Sequence, residues 1–211
     1  LAADAVIYQA AHLSRAHLLA EAIDPSVGDE LDPDSRSVEL DIYDLSNSNR
    51  PPYSRAFVER YRAAQLQRIR RISAWVRTTL QVLKDRGTGE LERGFVVHRT
   101  LADPRFLDKT LDPNDRRPNW WYMGNPETVN TGPVGLARFT TLRSWLSQWS
   151  LDDTCANGLE CAKSVSAPLL VIENSADDAV PQSHPASLFE AAGSRDKEFR
   201  VIQGAPHYYA G

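Results

Sequence analysis

Two residues in the last third of the chain have the types and spacing for acid–base chemistry. Asp177 lies just past one apolar run and His207 just past the next strand-like run, 207 − 177 = 30 positions later. A carboxylate that accepts a hydrogen bond from one imidazole nitrogen fixes the tautomer in which the other nitrogen takes a proton from a nucleophile. That chemistry needs the two groups at hydrogen-bond distance, so the chain between them must fold back. Taken singly, a loop aspartate is more often a turn former, and a histidine beside a tyrosine is more often structural than catalytic. The elements around them carry the case.

The run Ala167-Pro-Leu-Leu-Val-Ile172 is nearly continuous in apolar character, which suits a strand covered on both faces of a parallel sheet. A polar loop follows (Glu173 to Ser183), then a short helix (Pro185 to Ala192), a second strand (Glu198 to Ile202) and a loop from Gly204 to Gly211. Two parallel strands joined by a right-handed helical crossover bring both loops to the carboxyl edge of the sheet, where open α/β sheets place ligands and chemistry. Upstream, Asp4 to Ala11 reads as a short buried strand, and Ser14 caps a helix running to Ile23 that Asp24-Pro25 stops. Residues 24 to 53 are acidic and rich in Asp, Ser, Asn and Pro, an excursion too long for an ordinary connection and therefore functional or mobile. Ser54 caps the strongest helix, Arg55 to Arg86, which Gly87 ends. Its stripe of Phe57, Tyr61, Ile69, Ile72, Trp75 and Val76 is expected in the core, and the basic cluster Arg68, Arg70 and Arg71 on a solvated face. Residues 94 to 135 read as irregular, and Leu136 to Trp149 as another helix.

With those elements in place, the sequence resembles the α/β-hydrolase family. Ala167-Pro-Leu-Leu-Val-Ile-Glu-Asn-Ser-Ala-Asp177-Asp-Ala-Val-Pro181 is similar to the strand and loop that carry that family's acid, and the Val-Pro pair selects Asp177 over Asp178. Gly204-Ala-Pro-His207-Tyr resembles the family's histidine loop, and acid before histidine is the family's order. The resemblance implies an α/β fold with residues 1–11 as a core strand, 12–150 as a mostly helical cap, and 151–211 as the core segment with Asp177 and His207. It further implies a serine-type hydrolase of esterase character, cleaving an ester, thioester or related small acyl substrate without a cofactor. Asp24-Pro-Ser, Tyr61-Arg-Ala-Ala-Gln65 and Arg143-Ser-Trp-Leu-Ser-Gln-Trp149 suggest an uncharacterised capped subgroup.

One departure is large: no Gly-x-Ser-x-Gly elbow occurs, and Ser14, Ser54 and Ser144 sit at helix starts or in cap-like segments. The nucleophile and its oxyanion loop are therefore expected in sequence preceding Leu1, on the same or a separate chain, and the chain alone is expected to be inactive. Two other readings stay open. One is a hydrolase-like binding or regulatory protein without catalysis, since one fold hosts both. The other is an acyltransferase or cofactor-free haloperoxidase on the same triad.

Composition narrows the rest. A formal net charge of −4 argues against a partner recognised through phosphates, so no nucleic acid is expected. No apolar run approaches the ~20 residues of a membrane span, and a cytoplasmic location follows as the expectation, with a signal peptide left open by the start at Leu1. Cys155 and Cys161 make no disulfide framework and are expected reduced. His12 and His17, five positions apart, do not share a helix face as metal ligands would, and Asp29, Glu30, Asp32 and Asp34 lack calcium-loop spacing. Trp120, Trp121 and Tyr122 are candidates to line an acyl pocket, with core packing of an irregular loop as the other reading. Self-association is left open.

Overall fold

The computed structural model describes residues 3–209. It is an α/β structure whose main sheet has three parallel strands in the order β1-β4-β5, formed by Val6–Gln9, Leu169–Asn174 and Lys197–Ile202. The register pairs Tyr8 with Val171 and Val171 with Phe199, so these three side chains share a face. Val6, Leu169 and Leu188 join them in a core under α5 (Gly158–Lys163) and α6 (Ser183–Ala191). Gly158 seals this layer: a Cβ there would collide with the Leu13 carbonyl, which accepts the Gly158 N–H at 2.7 Å. The opposite face carries Ile7, Leu170 and Ile172, and the expectation of a sheet covered on both sides fails here. Ile7 is 62% exposed and the other two are half-buried.

Between β1 and β4 the chain builds a helical layer. α1 (Arg15–Ala22) starts where the Ser14 hydroxyl accepts the His17 N–H, and α2 (Arg55–Arg86) where the Ser54 hydroxyl accepts the Phe57 N–H. α2 ends at Gly87 with φ +63°, the left-handed cap that glycine adopts freely. Leu19, Ile23, Ile69, Ile72, Val76 and Trp145 form the largest core cluster, between α1, α2 and the turn Trp145–Trp149.

The structure corrects three expectations in this layer. First, Phe139–Thr141 is a strand, β3, paired antiparallel with β2 (Gly94–Val96), and the helical path begins only at Leu142 as α4 (Leu142–Ser144) and a π-helical turn, Trp145–Trp149. An aromatic and two β-branched residues favour the strand, and Thr141 then caps the turn that follows. Second, residues 94–135 are not uniformly irregular: α3 spans Pro126–Thr131, with Asn125 as N-cap and Pro126 at its first position. Third, Arg68 is only 1% exposed, while Trp75, expected in the core, is 44% exposed. Arg68 satisfies its guanidinium with both Glu30 oxygens and the carbonyls of Asp24, His98 and Arg99.

The acidic excursion 24–53 is ordered by its own side chains. Asp24, Asp29, Asp41, Asp44 and Asn47 each accept the backbone N–H two residues on, the local turn that Asx residues favour. Arg99 then ties the segment inward, with Nε on Asp24 at 2.6 Å and Nη2 on Asp41 at 3.1 Å.

Candidate active site

Four segments meet at the carboxyl edge of the main sheet, and hydrogen bonds join their backbones. The Ser175 N–H donates to Ile202 O and the Ala176 N–H to Ala205 O, holding the loop after β4 against the loop after β5. The Asn174 amide donates to Pro206 O at 3.0 Å and its carbonyl accepts the Tyr209 hydroxyl at 2.9 Å. The Gln9 amide, at the end of β1, also reaches that hydroxyl. From the helical layer, residues 114–122 lie across the acid loop: Asn114 donates to Asp177 O, the Asp115 N–H to Ser175 O and the Tyr122 N–H to Asp178 O.

Within this frame Asp177 and His207 come together. Oδ1 of Asp177 accepts the N–H groups of Ala179 at 2.8 Å and Val180 at 2.7 Å, which fixes the carboxylate plane. Oδ2 is left for His207 Nδ1, at 3.2 Å. The hydrogen bond assigns the proton to Nδ1 and leaves Nε2 as the basic nitrogen. That bond raises the pKa of His207, burial opposes the rise, and the charges of Asp177 and Asp178 add to it. Asp178 takes a different part, accepting the His207 backbone N–H at 3.2 Å. Among the described residues no hydroxyl or thiol hydrogen-bonds to His207 Nε2.

The aromatic triplet divides. Tyr122 packs with its ring centroid 5.8 Å from that of His207 and 5.2 Å from that of Tyr208. Trp121 is buried with Leu101 and Val129, and it also borders the narrow gap beside Asp177. Trp120 lies under the Arg117 guanidinium, 4.4 Å from ring centroid to Cζ.

Several polar groups here carry no motif. His184, at the start of α6, is buried and places Nε2 3.1 Å from Glu21 of α1, with Nδ1 unpartnered. Arg105 bridges Glu21 and Asp103. His12, on the loop after β1, also has an enclosed, unpartnered Nδ1, and burial followed by His184 and Arg15 lowers its pKa. Short-range pattern could not expose these contacts, because their partners lie on other elements. The Ser14 hydroxyl lies 2.8 Å from His17 Nδ1, but it also accepts that residue's backbone N–H, which makes the pair a helix cap. No group of three or more His, Cys, Asp or Glu able to hold a metal occurs among the described residues. Cys155 and Cys161 are free and exposed. No helix among those residues is long and apolar enough to cross a membrane.

No protein-family model matches the chain, and no curated protein matches it. Among solved structures, the monoacylglycerol lipase of Paleococcus ferrophilus matches with 21% identity and a TM-score of 0.29. The match covers 62% of this chain and 43% of the lipase chain, so the chain spans less than half of that structure's length.

Proposed function

We propose that the chain supplies the acid and the base of an α/β-hydrolase that cleaves an ester, thioester or related acyl substrate. The observation that carries this reading is the Asp177–His207 contact across two adjacent parallel strands, with Nε2 unengaged. In this reading residues 1–11 and 151–211 belong to the hydrolase core and 12–150 to a cap over it. A serine from outside the described residues gives its proton to His207 Nε2 as it attacks the acyl carbon, and the same nitrogen returns the proton to the leaving group. Asp177, held by two backbone amides, keeps the ring oriented and stabilises the imidazolium. Tyr122 and Tyr208 form the aromatic wall beside the base, suited to an apolar acyl or alcohol group. Strand β1 has no partner on its outer edge among the described residues, which leaves room for a strand bearing the serine.

The alternative is a hydrolase-like binding protein built on the same frame, since one fold hosts both. The test is turnover of a p-nitrophenyl ester by the full-length protein and its His207→Ala variant. Loss of at least roughly a hundredfold in kcat/KM is expected for loss of a general base. A variant that keeps most of the activity overturns the hydrolase reading, and an intact protein without turnover favours the binding one.

A further inference from the structure

A cavity bordered by the helical layer lies away from Asp177 and His207. It is a trough of about 520 Å³ between α2, β2 and the 28–31 turn, within the usual size of a small-molecule site. Ile72 and Val97 are buried and form its floor, while Trp75, Val96 and Leu31 stand along it with their apolar surface exposed. Phe95 meets Trp75 edge-on at 5.0 Å and Trp145 at 5.9 Å, so the aromatic wall is braced from behind.

The opposite wall is also fixed in advance. The Gly28 N–H donates to Ser35 O, Val27 bridges Arg36, and Asp29 accepts the Leu31 N–H. Glu30 is gripped by Arg68 and Arg71, and Arg71 also donates to Val27 O. A pocket whose walls are already held loses little conformational freedom on binding.

Charge and hydrogen bonding define the occupant. Glu30 is held between Arg71 on the wall and Arg68 buried behind it, while Asp29 turns its carboxylate to the Leu31 N–H. The two carboxylates and two guanidiniums sum to zero, so the wall with its backing favours neither an anion nor a cation. His98, at one end, gives its carbonyl to Arg68 and leaves its ring without a hydrogen bond to any described residue. Burial, then Arg138 and Arg68, lowers the pKa of that ring, so it meets a ligand as neutral imidazole, able to donate or accept.

We propose that this trough is a second ligand site, for an uncharged aromatic molecule carrying one hydrogen-bonding group. The apolar rings pack on Trp75 and Phe95, and the polar group reaches His98. This inference stands independently of the hydrolase reading, because none of the trough's lining belongs to the Asp177–His207 site.

The experiment is equilibrium titration with N-phenyl-1-naphthylamine, a neutral fluorophore with a single N–H, which brightens in apolar surroundings. A saturable isotherm with one site per chain is expected. Trp75→Ala and Val96→Lys, both at exposed positions, should each raise Kd roughly tenfold or more while leaving the melting temperature near wild type. His98→Leu should weaken the probe and leave naphthalene, which lacks the N–H, bound as before. Non-saturable uptake, an unchanged Kd in both wall variants, or binding that occurs only as the protein dimerises in sedimentation would each overturn the proposal. Ester turnover does not enter the measurement, so its outcome separates from that of the hydrolase test.

Discussion

The two aspartates at the end of β4 show how neighbouring carboxylates take separate work from backbone geometry alone. Asp177 turns Oδ1 back to the amides of Ala179 and Val180 and presents Oδ2 to the imidazole, whereas Asp178 secures the histidine's own N–H. The raised pKa of His207 has a definite sign for stability. Its protonated form is favoured in the fold, so the contribution is fully present below the free-histidine value of 6.5 and is lost as pH rises through the folded value. In Asp177→Asn the hydrogen bond and charge weaken while burial remains, so the His207 pKa should fall to or below 6.5 in an NMR titration. A His207 pKa that stays raised in that variant would show that Asp177 is not its partner.

At the scale of elements, α2 organises the helical layer, and its most consequential residue is polar. Arg68 is buried among three backbone carbonyls and Glu30, so truncation strands several acceptors at once and leaves the Glu30 carboxylate to Arg71 alone. Arg68→Ala should cost about 3–5 kcal/mol in denaturant unfolding, against about 1 kcal/mol for removing the Ser54 cap with Ser54→Ala. A loss under ~1 kcal/mol for Arg68→Ala would mean the cluster is solvated after all.

These elements also show what a single sequence can and cannot disclose. The bounds of α2 were legible because Ser54, an apolar stripe and Gly87 are local signals, and the approach of Asp177 to His207 because strand, loop and helix lengths constrain it. The strand β3 was hidden by apolar residues at three- and four-residue spacing, a pattern that Leu136, Phe139 and Leu142 satisfy whether or not the chain is helical. Arg68, Arg99 and His184 were hidden for another reason. A charged side chain is buried only when partners from distant segments arrive together, and no periodicity announces Glu30, Asp41 or Glu21 as those partners.

Across the whole molecule, ionic contacts join segments that hydrophobic burial leaves separate. Glu21 of α1 meets His184 of α6 and Arg105, and Arg105 and Arg62 of α2 converge on Asp103. Burial would raise the pKa of Glu21, but the His184 hydrogen bond and the Arg105 charge outweigh it and hold the group at about 2. A depressed carboxylate pKa stabilises the fold above the free value of 4.5, and that contribution is lost as pH falls toward 2. Thermal unfolding should therefore drop steeply between those limits, and Glu21→Gln should flatten the profile while lowering stability at neutral pH. Parallel profiles for the two proteins would remove Glu21 from the acid response.

The two edges of the main sheet are not alike. Among the described residues β5 is the last strand, with Lys197, Glu198 and Arg200 along its length, charges that discourage another strand from pairing there. β1 offers Val-Ile-Tyr-Gln, with no charge and with Ile7 largely bare. Left uncovered, such an edge is a template for aggregation, so the 211-residue chain held in solution by itself should grow turbid with concentration and time. Ile7→Lys places the missing gatekeeper on that strand and should delay light scattering without moving the melting temperature, whereas a lysine at the exposed Leu45, far from either edge in sequence, should change nothing.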